Sequence, residues 1–372
     1  MKYVFVSYNY SPGFDSPESW IKRTEGYAGV MEYLSKGNTV INIKQINYEG
    51  YQLYKGVHYH FVNLNKKKDY LPYRLNLFVK RLMPDVIVVH GLHHPLQVIQ
   101  LKTILPKRTK IIAQHHAEKP FAGFKKHVQR IADNCTNACL FASNDLGLEW
   151  VKSGNIASAK KIYEVMEVSS NFYPVDRNVS KLQSGVTGNH VFLWVGRLNQ
   201  NKDPLNVVKV FMEYAQINKS ARLYMIYHTD ELLHEIKSAT EKYPNKFAIT
   251  LTGKVPHNDL LYWYNSADFF ISGSHYEGSG TAVCEAMSCG CVPIVTDIPS
   301  FRMMTDQGSC GILYQPGNKS ELLAALKLTT AINLAEKRSL SIKQFNNNLS
   351  FEAIALRIEK IANGLFNGRT NG

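Results

Sequence analysis

Apolar and polar positions along this chain follow two interleaved rhythms. Runs such as Tyr3-Val4-Phe5-Val6 and Val86-Ile87-Val88-Val89 are short, continuous and rich in β-branched residues, as in strands buried on both faces. Between them, apolar residues recur at helical spacing. The pattern predicts strands near 2–8, 39–46, 57–62, 85–90, 109–114, 138–142 and 162–166, with helices near 17–35, 70–82, 95–104, 122–133 and 145–153. Such alternation argues an α/β domain with a parallel sheet wrapped by helices. Residues 173–189, where Pro174, Gly185 and Gly188 stand among polar neighbours, read as a linker. The rhythm resumes with strands near 190–195, 221–227, 247–252, 268–272, 292–296 and 311–313, and helices near 204–217, 230–242, 257–265, 280–289, 299–306 and 320–331. The expected organisation is an N-terminal domain over 1–172, a C-terminal domain over 190–350, and a helix within 351–372 that packs back on the first domain.

A length of 372 residues suits two such domains better than one core. The apolar run at Met1-Lys2-Tyr3-Val4-Phe5-Val6 is too short for a secretory signal, and no stretch approaches the ~18 uninterrupted apolar residues of a membrane span. Cytoplasm is therefore the expected compartment. Six cysteines lack the paired spacing of a zinc site and read as free thiols, so no metal is expected. Formal charge is +13, of which residues 1–176 hold +9 through 23 Lys and Arg against 14 Asp and Glu. No helix-turn-helix, zinc-finger or RNA-recognition signature accompanies this excess, so nucleic acid is not an expected partner. An anionic membrane surface or a phosphate-bearing molecule fits it better. Lys66-Lys67-Lys68, Arg74, Lys80-Arg81 and Lys125-Lys126, interleaved with Tyr70, Tyr73, Leu77, Phe78, Phe121 and Phe124, suit attachment to such a surface as well as they suit solvated helix faces.

The densest chemistry lies at Glu277-Gly278-Ser279-Gly280-Thr281-Ala282-Val283-Cys284-Glu285, between a predicted strand and a predicted helix. Ligands of open α/β sheets bind at such strand ends. Gly278 and Gly280 allow close backbone approach, and a helix starting near Gly280 offers unpaired N–H groups to an anion. Glu277 and Glu285 are suited to accept hydrogen bonds from sugar or ribose hydroxyls. Upstream, Gly196-Arg197-Leu198-Asn199-Gln200-Asn201-Lys202 leaves another predicted strand and brings two cations to the same end of the sheet, enough to neutralise a diphosphate.

Gly-Arg-x-x-x-x-Lys, then two Glu eight residues apart, then Gly290-Cys291-Val292-Pro293-Ile294-Val295-Thr296-Asp297, resembles family 4 (group 1) of the retaining, nucleotide-sugar-dependent glycosyltransferases. The resemblance implies the GT-B fold, two Rossmann-like domains facing across a cleft, with nucleotide held by the second domain and acceptor by the first. It implies that Glu277 holds the transferred sugar, Glu285 the ribose, and Lys254 the neighbourhood of the base. Gly278, Ser279, Gly280 and Thr281 would line the phosphates. Arg197 and Lys202 would stabilise the leaving diphosphate in place of a metal, in agreement with the absence of any Asp-x-Asp. One histidine of His115-His116 would face the donor sugar. His116 is chosen because His116-Ala117-Glu118 fits the family's continuation; His90 is a weaker candidate, with His93 and His94 close by. Asp15, Trp20 and Arg23 follow the first strand and have only position to recommend them. Two departures stand out: Ser11-Pro12-Gly13-Phe14-Asp15-Ser16-Pro17 lacks the family's paired glycines, and Ser279 replaces an apolar residue.

The expectation is thus a metal-independent hexosyltransferase without a cofactor. It would move sugar from a nucleotide-diphosphate donor to a carbohydrate or lipid-linked acceptor, in cell-surface polysaccharide or glycolipid synthesis at the inner membrane face. Its rivals are a nucleotide-sugar epimerase and a non-catalytic nucleotide-sugar-binding module.

Overall fold

A computed structural model describes residues 1–24, 28–64 and 72–368. The chain divides into two compact units, Met1–Glu167 with Phe351–Gly372, and Val168–Ser350.

The first unit is built on β1 (Lys2–Ser11), β2 (Thr39–Ile46), β3 (Gly50–Tyr54), β4 (Val57–Val62), β5 (Val86–His90), β6 (Lys110–Gln114), β7 (Ala138–Phe141) and β8 (Ile162–Glu164). They lie in the order β3-β4-β2-β1-β5-β6-β7-β8. All neighbours are parallel except β3 and β4. Strand alternation sends Val4, Val6, Ile41, Ile43, Ile87 and Val89 into one core with Leu75, Val79, Val98 and Leu101 of the covering helices. Nothing in the apolar pattern announces β3, because Tyr51 and Leu53 are more than half exposed. It forms as an edge strand through a tight turn in which Lys55 and Gly56 both adopt positive φ. The helix expected over 17–35 is present as Pro17–Thr24 and Gly29–Leu34, residues 25–27 being outside the described set. The helix Phe351–Phe366 packs on Gly29–Leu34, and a Cβ at Gly29 would stand 2.3 Å from the Phe351 ring. Of the basic cluster, Lys66, Lys67, Lys68 and Tyr70 lie outside the described residues, while Tyr73 and Phe124 are exposed. Among the described residues no helix is long and apolar enough to cross a membrane.

The second unit carries β9 (His190–Gly196), β10 (Ala221–Tyr227), β11 (Ile249–Gly253), β12 (Phe269–Ser272), β13 (Val292–Thr296) and β14 (Ile312–Tyr314), in the order β11-β10-β9-β12-β13-β14. Every pairing is parallel. The stretch 173–189 is not a plain linker. It holds the helix Arg177–Ser184, begun by Asp176 accepting from the N–H groups of Asn178 and Val179 and ended by Gly185 at φ 70°. That helix packs on Leu260–Ser266. Its apolar side chains Val179 and Leu182 are exposed. The helix Leu334–Gln344 was likewise not anticipated.

Asp268 ties the unit together beneath β12. Its buried carboxylate pairs with both guanidinium nitrogens of Arg177, accepts from Arg338 Nη2 at 2.8 Å, and accepts the backbone N–H of Val191 at 2.9 Å. Each sheet has one point where strand order reverses. It lies between β9 and β12 in the second unit and between β1 and β5 in the first.

Candidate functional site

The loops leaving β9 and β12 emerge side by side at the second unit's switch point, where a crevice opens because their connections run in opposite directions. After β9, Asn199 accepts the backbone N–H of Lys202 at 3.1 Å and shapes the turn Gln200–Lys202. Asn201 then latches this loop to the next, its side chain donating to the carbonyl of Tyr276 at 3.0 Å and its carbonyl accepting from His275 at 2.8 Å. Gly273 makes the approach possible, since a Cβ there would sit 3.1 Å from the carbonyl oxygen of Lys202.

Glu277 is held from two directions. Its carboxylate forms an ion pair with Lys202, and its carbonyl accepts from Ser300 Oγ at 3.1 Å. Arg197 is exposed and makes no side-chain hydrogen bond or ion pair among the described residues, leaving its guanidinium open to a ligand. Gly280 precedes the helix Thr281–Ser288 without a side-chain cap, so the first N–H groups of that helix are unclaimed by any capping side chain. Gly278 and Gly280 are buried, while Ser279 and Thr281 are half-buried. A Cβ at Gly280 would strike the Phe301 ring at 2.7 Å, so this glycine also lets the helix Pro299–Met304 close against the loop.

Glu285, over a turn further on, is buried. One carboxylate oxygen accepts from Tyr264 at 2.9 Å and the other lies 2.7 Å from Nε2 of His257. Burial and the neighbouring carboxylate raise the Tyr264 phenol well above its ordinary range, so it remains a donor. Sequence reasoning missed both partners. His257 sits three residues after Lys254 on the loop following β11, and Phe172 lies against it at 5.2 Å. Lys254 itself is exposed on that loop. β11 is the sheet edge, two strands from β9, so Lys254 approaches the switch point from the side.

The histidines form a separate cluster in the first unit. His115 is a core residue, stacked on Phe141 at 4.8 Å, and burial lowers its pKa. His116 faces the other way, its Nδ1 bonded to the Glu167 carboxylate and its Nε2 lying 3.0 Å from Nδ1 of His90. Ala117 adopts φ 66°, and the turn lets Glu118 reach back to the N–H of His116 at 2.6 Å, the N–H of Leu92 at 3.0 Å and His93 Nδ1 at 2.8 Å. Burial alone would raise the Glu118 carboxyl, but the bonds from His93 and from the His116 N–H outweigh it and hold its pKa down at about 2. His116 therefore does not offer a free Nε2. Among the described residues no three His, Cys, Asp or Glu are arranged to hold a metal ion. The cysteines form no disulfide, and burial pushes Cys139, Cys289 and Cys310 up to about 12. Asp15 accepts from Asn47 at 2.6 Å, and Trp20 packs edge-on against Phe14.

Residues 176–344 match the family model of glycosyl transferases group 1, nearly all of the second unit. That unit matches a group 1 glycosyl transferase domain. A GDP-mannose:cellobiosyl-diphosphopolyprenol alpha-mannosyltransferase of Xanthomonas oryzae pv. oryzae is 25% identical over 153 residues, 41% of this chain and 40% of that enzyme. A mannosylfructose-phosphate synthase of Agrobacterium fabrum is 27% identical over 41% of this chain and 36% of that enzyme. The chain thus spans about two-fifths of the length of these curated relatives. Among solved structures, Anabaena Alr3699/HepE in complex with UDP superposes with a TM-score of 0.72 at 14% identity, over 98% of this chain and all of that one. The likeness identifies the fold as GT-B, two Rossmann-like domains.

Proposed function

We propose that the protein moves a sugar from a nucleotide-diphosphate donor to an acceptor hydroxyl, with retention at the anomeric carbon and without a metal. The observation that carries this reading is the convergence at one switch point of Arg197, the Lys202–Glu277 pair and the uncapped helix start after Gly280, with Glu285 in the same helix. Two cations and a helix N-terminus form a receptor for a diphosphate, and electrostatic stabilisation of that leaving group lowers the barrier to breaking the glycosidic bond. Glu277 then serves the hydroxyls of the sugar and Glu285 those of the ribose, while Lys254 lies toward the base. The GDP-mannose in the name of the Xanthomonas relative and the UDP of the Anabaena protein support the class of donor. A hexose is the first sugar to test, and mannose the first hexose, because two relatives are named for it.

The basic first half fits an acceptor bearing phosphate, lipid-linked and presented at the inner face of the membrane. A cavity of about 400 Å³ beside β3 and β4, lined by Tyr51, His60, Arg74 and Phe78, offers aromatic and cationic surface to such a molecule.

The test is a thermal-shift panel of nucleoside diphosphates and their sugars, followed by transfer assays with and without chelator. Stabilisation by a nucleoside diphosphate, and turnover that survives EDTA, are expected. A panel without any shift removes the donor site, and activity restored only by magnesium or manganese removes the metal-free mechanism.

A further inference from the structure

The cavity of about 400 Å³ beside β3 and β4 lies wholly within the first unit, and three rings line it in a row. Tyr51 and His60 stand opposite each other across the antiparallel pair, their ring centroids 5.1 Å apart. Phe78, on the helix Tyr73–Arg81, meets His60 edge-on at 5.1 Å. The Tyr51 hydroxyl is tied to Nδ1 of His58 at 2.9 Å, which anchors the ring although more than half of the residue is exposed. The result is a preset aromatic wall open to solvent, and a cavity of this size falls within the roughly 300–1,000 Å³ of small-molecule sites.

Polar groups of both kinds share the lining. Arg74 and Glu49 are exposed and make no side-chain hydrogen bond or ion pair among the described residues, while Asn63 donates to Asn47 at 3.3 Å and keeps its own carbonyl oxygen to accept. Burial, and then His58, lowers the pKa of His60, so at neutral pH its ring carries one N–H and one bare nitrogen. This mixture selects the occupant. A phosphate only accepts and is repelled by the Glu49 carboxylate, and a hydrocarbon chain leaves Arg74, Glu49 and Asn63 without partners. A pyranose ring satisfies both requirements, because its C–H face lies flat on an aromatic ring and each hydroxyl at its rim both donates and accepts.

We propose that this cavity holds an uncharged sugar ring of the acceptor, stacked on Tyr51, with its hydroxyls shared between Arg74, Glu49 and Asn63. That the sugar belongs to an acceptor rests on the transferase reading; the fit of a sugar to the cavity does not. β4 runs parallel to β2, and β2 to β1, so the chain leaves β4 at Asn63 on the same rim of the sheet as it leaves β1. In the strand order β4 stands two positions from β1, roughly 10 Å at the usual spacing. The cavity is therefore set apart from the switch point between β1 and β5 and serves as a place of attachment for a glycan, not as the place where its hydroxyl reacts.

Saturation-transfer NMR on the full chain, irradiating aromatic protons, tests the cavity with the methyl glycosides of mannose, glucose and galactose and with the disaccharides cellobiose and maltose. Phosphorus-31 line widths follow inorganic phosphate in parallel. At least one sugar should take up saturation at its ring C–H protons, and Tyr51→Ala should weaken its binding on the order of tenfold. Glu49→Ala separates the two occupants, since it removes an acceptor from a sugar and a repulsion from a phosphate. Sugar binding should therefore weaken in that variant. Both side chains are exposed, and urea unfolding of the two variants should match wild type. No transfer to any of the sugars, transfer that neither substitution alters, or binding of phosphate that Glu49→Ala strengthens, overturns the proposal. The experiment contains no nucleotide, so failure of the donor site and failure of the cavity are read separately.

Discussion

Lys202 and Glu277 form an ion pair between the two loops that leave adjacent strands β9 and β12. Each is the other's counter-charge, and on the proposed reading a donor would supply phosphate to one and hydroxyls to the other. Removing Glu277 therefore releases a cation rather than weakening the phosphate site. Glu277→Ala should bind nucleoside diphosphate as tightly as wild type or more tightly, while turnover of the full donor falls. Calorimetry with diphosphate alone, beside a transfer assay, checks both halves. A tenfold loss of diphosphate affinity would show that Glu277 grips the nucleotide and not the sugar.

Glu285 stands in a different setting, buried with a donor on each oxygen. On the proposed reading its remaining lone pairs serve the ribose. Loss of a charged acceptor to ribose hydroxyls is worth roughly 1.5–3 kcal/mol, so Glu285→Ala should weaken diphosphate binding by about 10- to 100-fold. Arg197→Ala should also weaken it, but with a salt dependence, because Arg197 is exposed and acts through charge. Titrations at low and high salt separate the two. Equal salt sensitivity in both variants would contradict the assignment of Glu285 to neutral hydroxyls.

Strands buried on both faces were legible because their residues are apolar without interruption. Val86–Val89 and Phe269–Ile271 announce themselves, and so does the strand-to-helix passage around Glu277. What escaped was structure held by turns and polar contacts. β3 depends on two positive-φ residues, and Arg177–Ser184 on an Asp cap and an ion pair to Asp268, ninety-one positions away. The same limit applies to the site. Glu277, Glu285, Arg197 and Lys202 stand out by spacing. His257 and Tyr264 join Glu285 only through the fold, and the bonding of His116 to His90 and Glu167 has no local signature.

Asp268 shows how much a polar contact can carry. Its carboxylate is 1% exposed and takes bonds from Arg177, Arg338 and the Val191 N–H. Asp268→Ala leaves two guanidinium groups facing a buried gap, a change that costs about 3–5 kcal/mol when a buried pair loses one partner. Urea unfolding of the variant measures the loss. A difference under about 1 kcal/mol, the range of an exposed pair, would show that solvent reaches this carboxylate.

Acid should weaken the first unit over two pH windows, through different groups. Burial, with a further push from His93, lowers His94 from 6.5 to about 4, and burial takes His90 well below its ordinary value. Both are neutral when folded and charge more readily when unfolded, so the unfolded state binds more protons below pH 6.5 and stability falls as pH drops from there toward 4. Glu118, held at about 2 against an ordinary 4.5, works through its ionised form. Its stabilisation is complete above pH 4.5 and disappears as pH falls toward 2. For His94 the difference corresponds to about 3 kcal/mol. His94→Phe keeps an aromatic ring against Tyr8, which lies 5.5 Å away, and removes the titrating group. Its stability, measured by urea unfolding from pH 7 to 4, should decline less steeply than that of wild type by about that amount. Parallel curves for the two proteins would mean that His94 is protonated as easily in the folded chain as in the unfolded one.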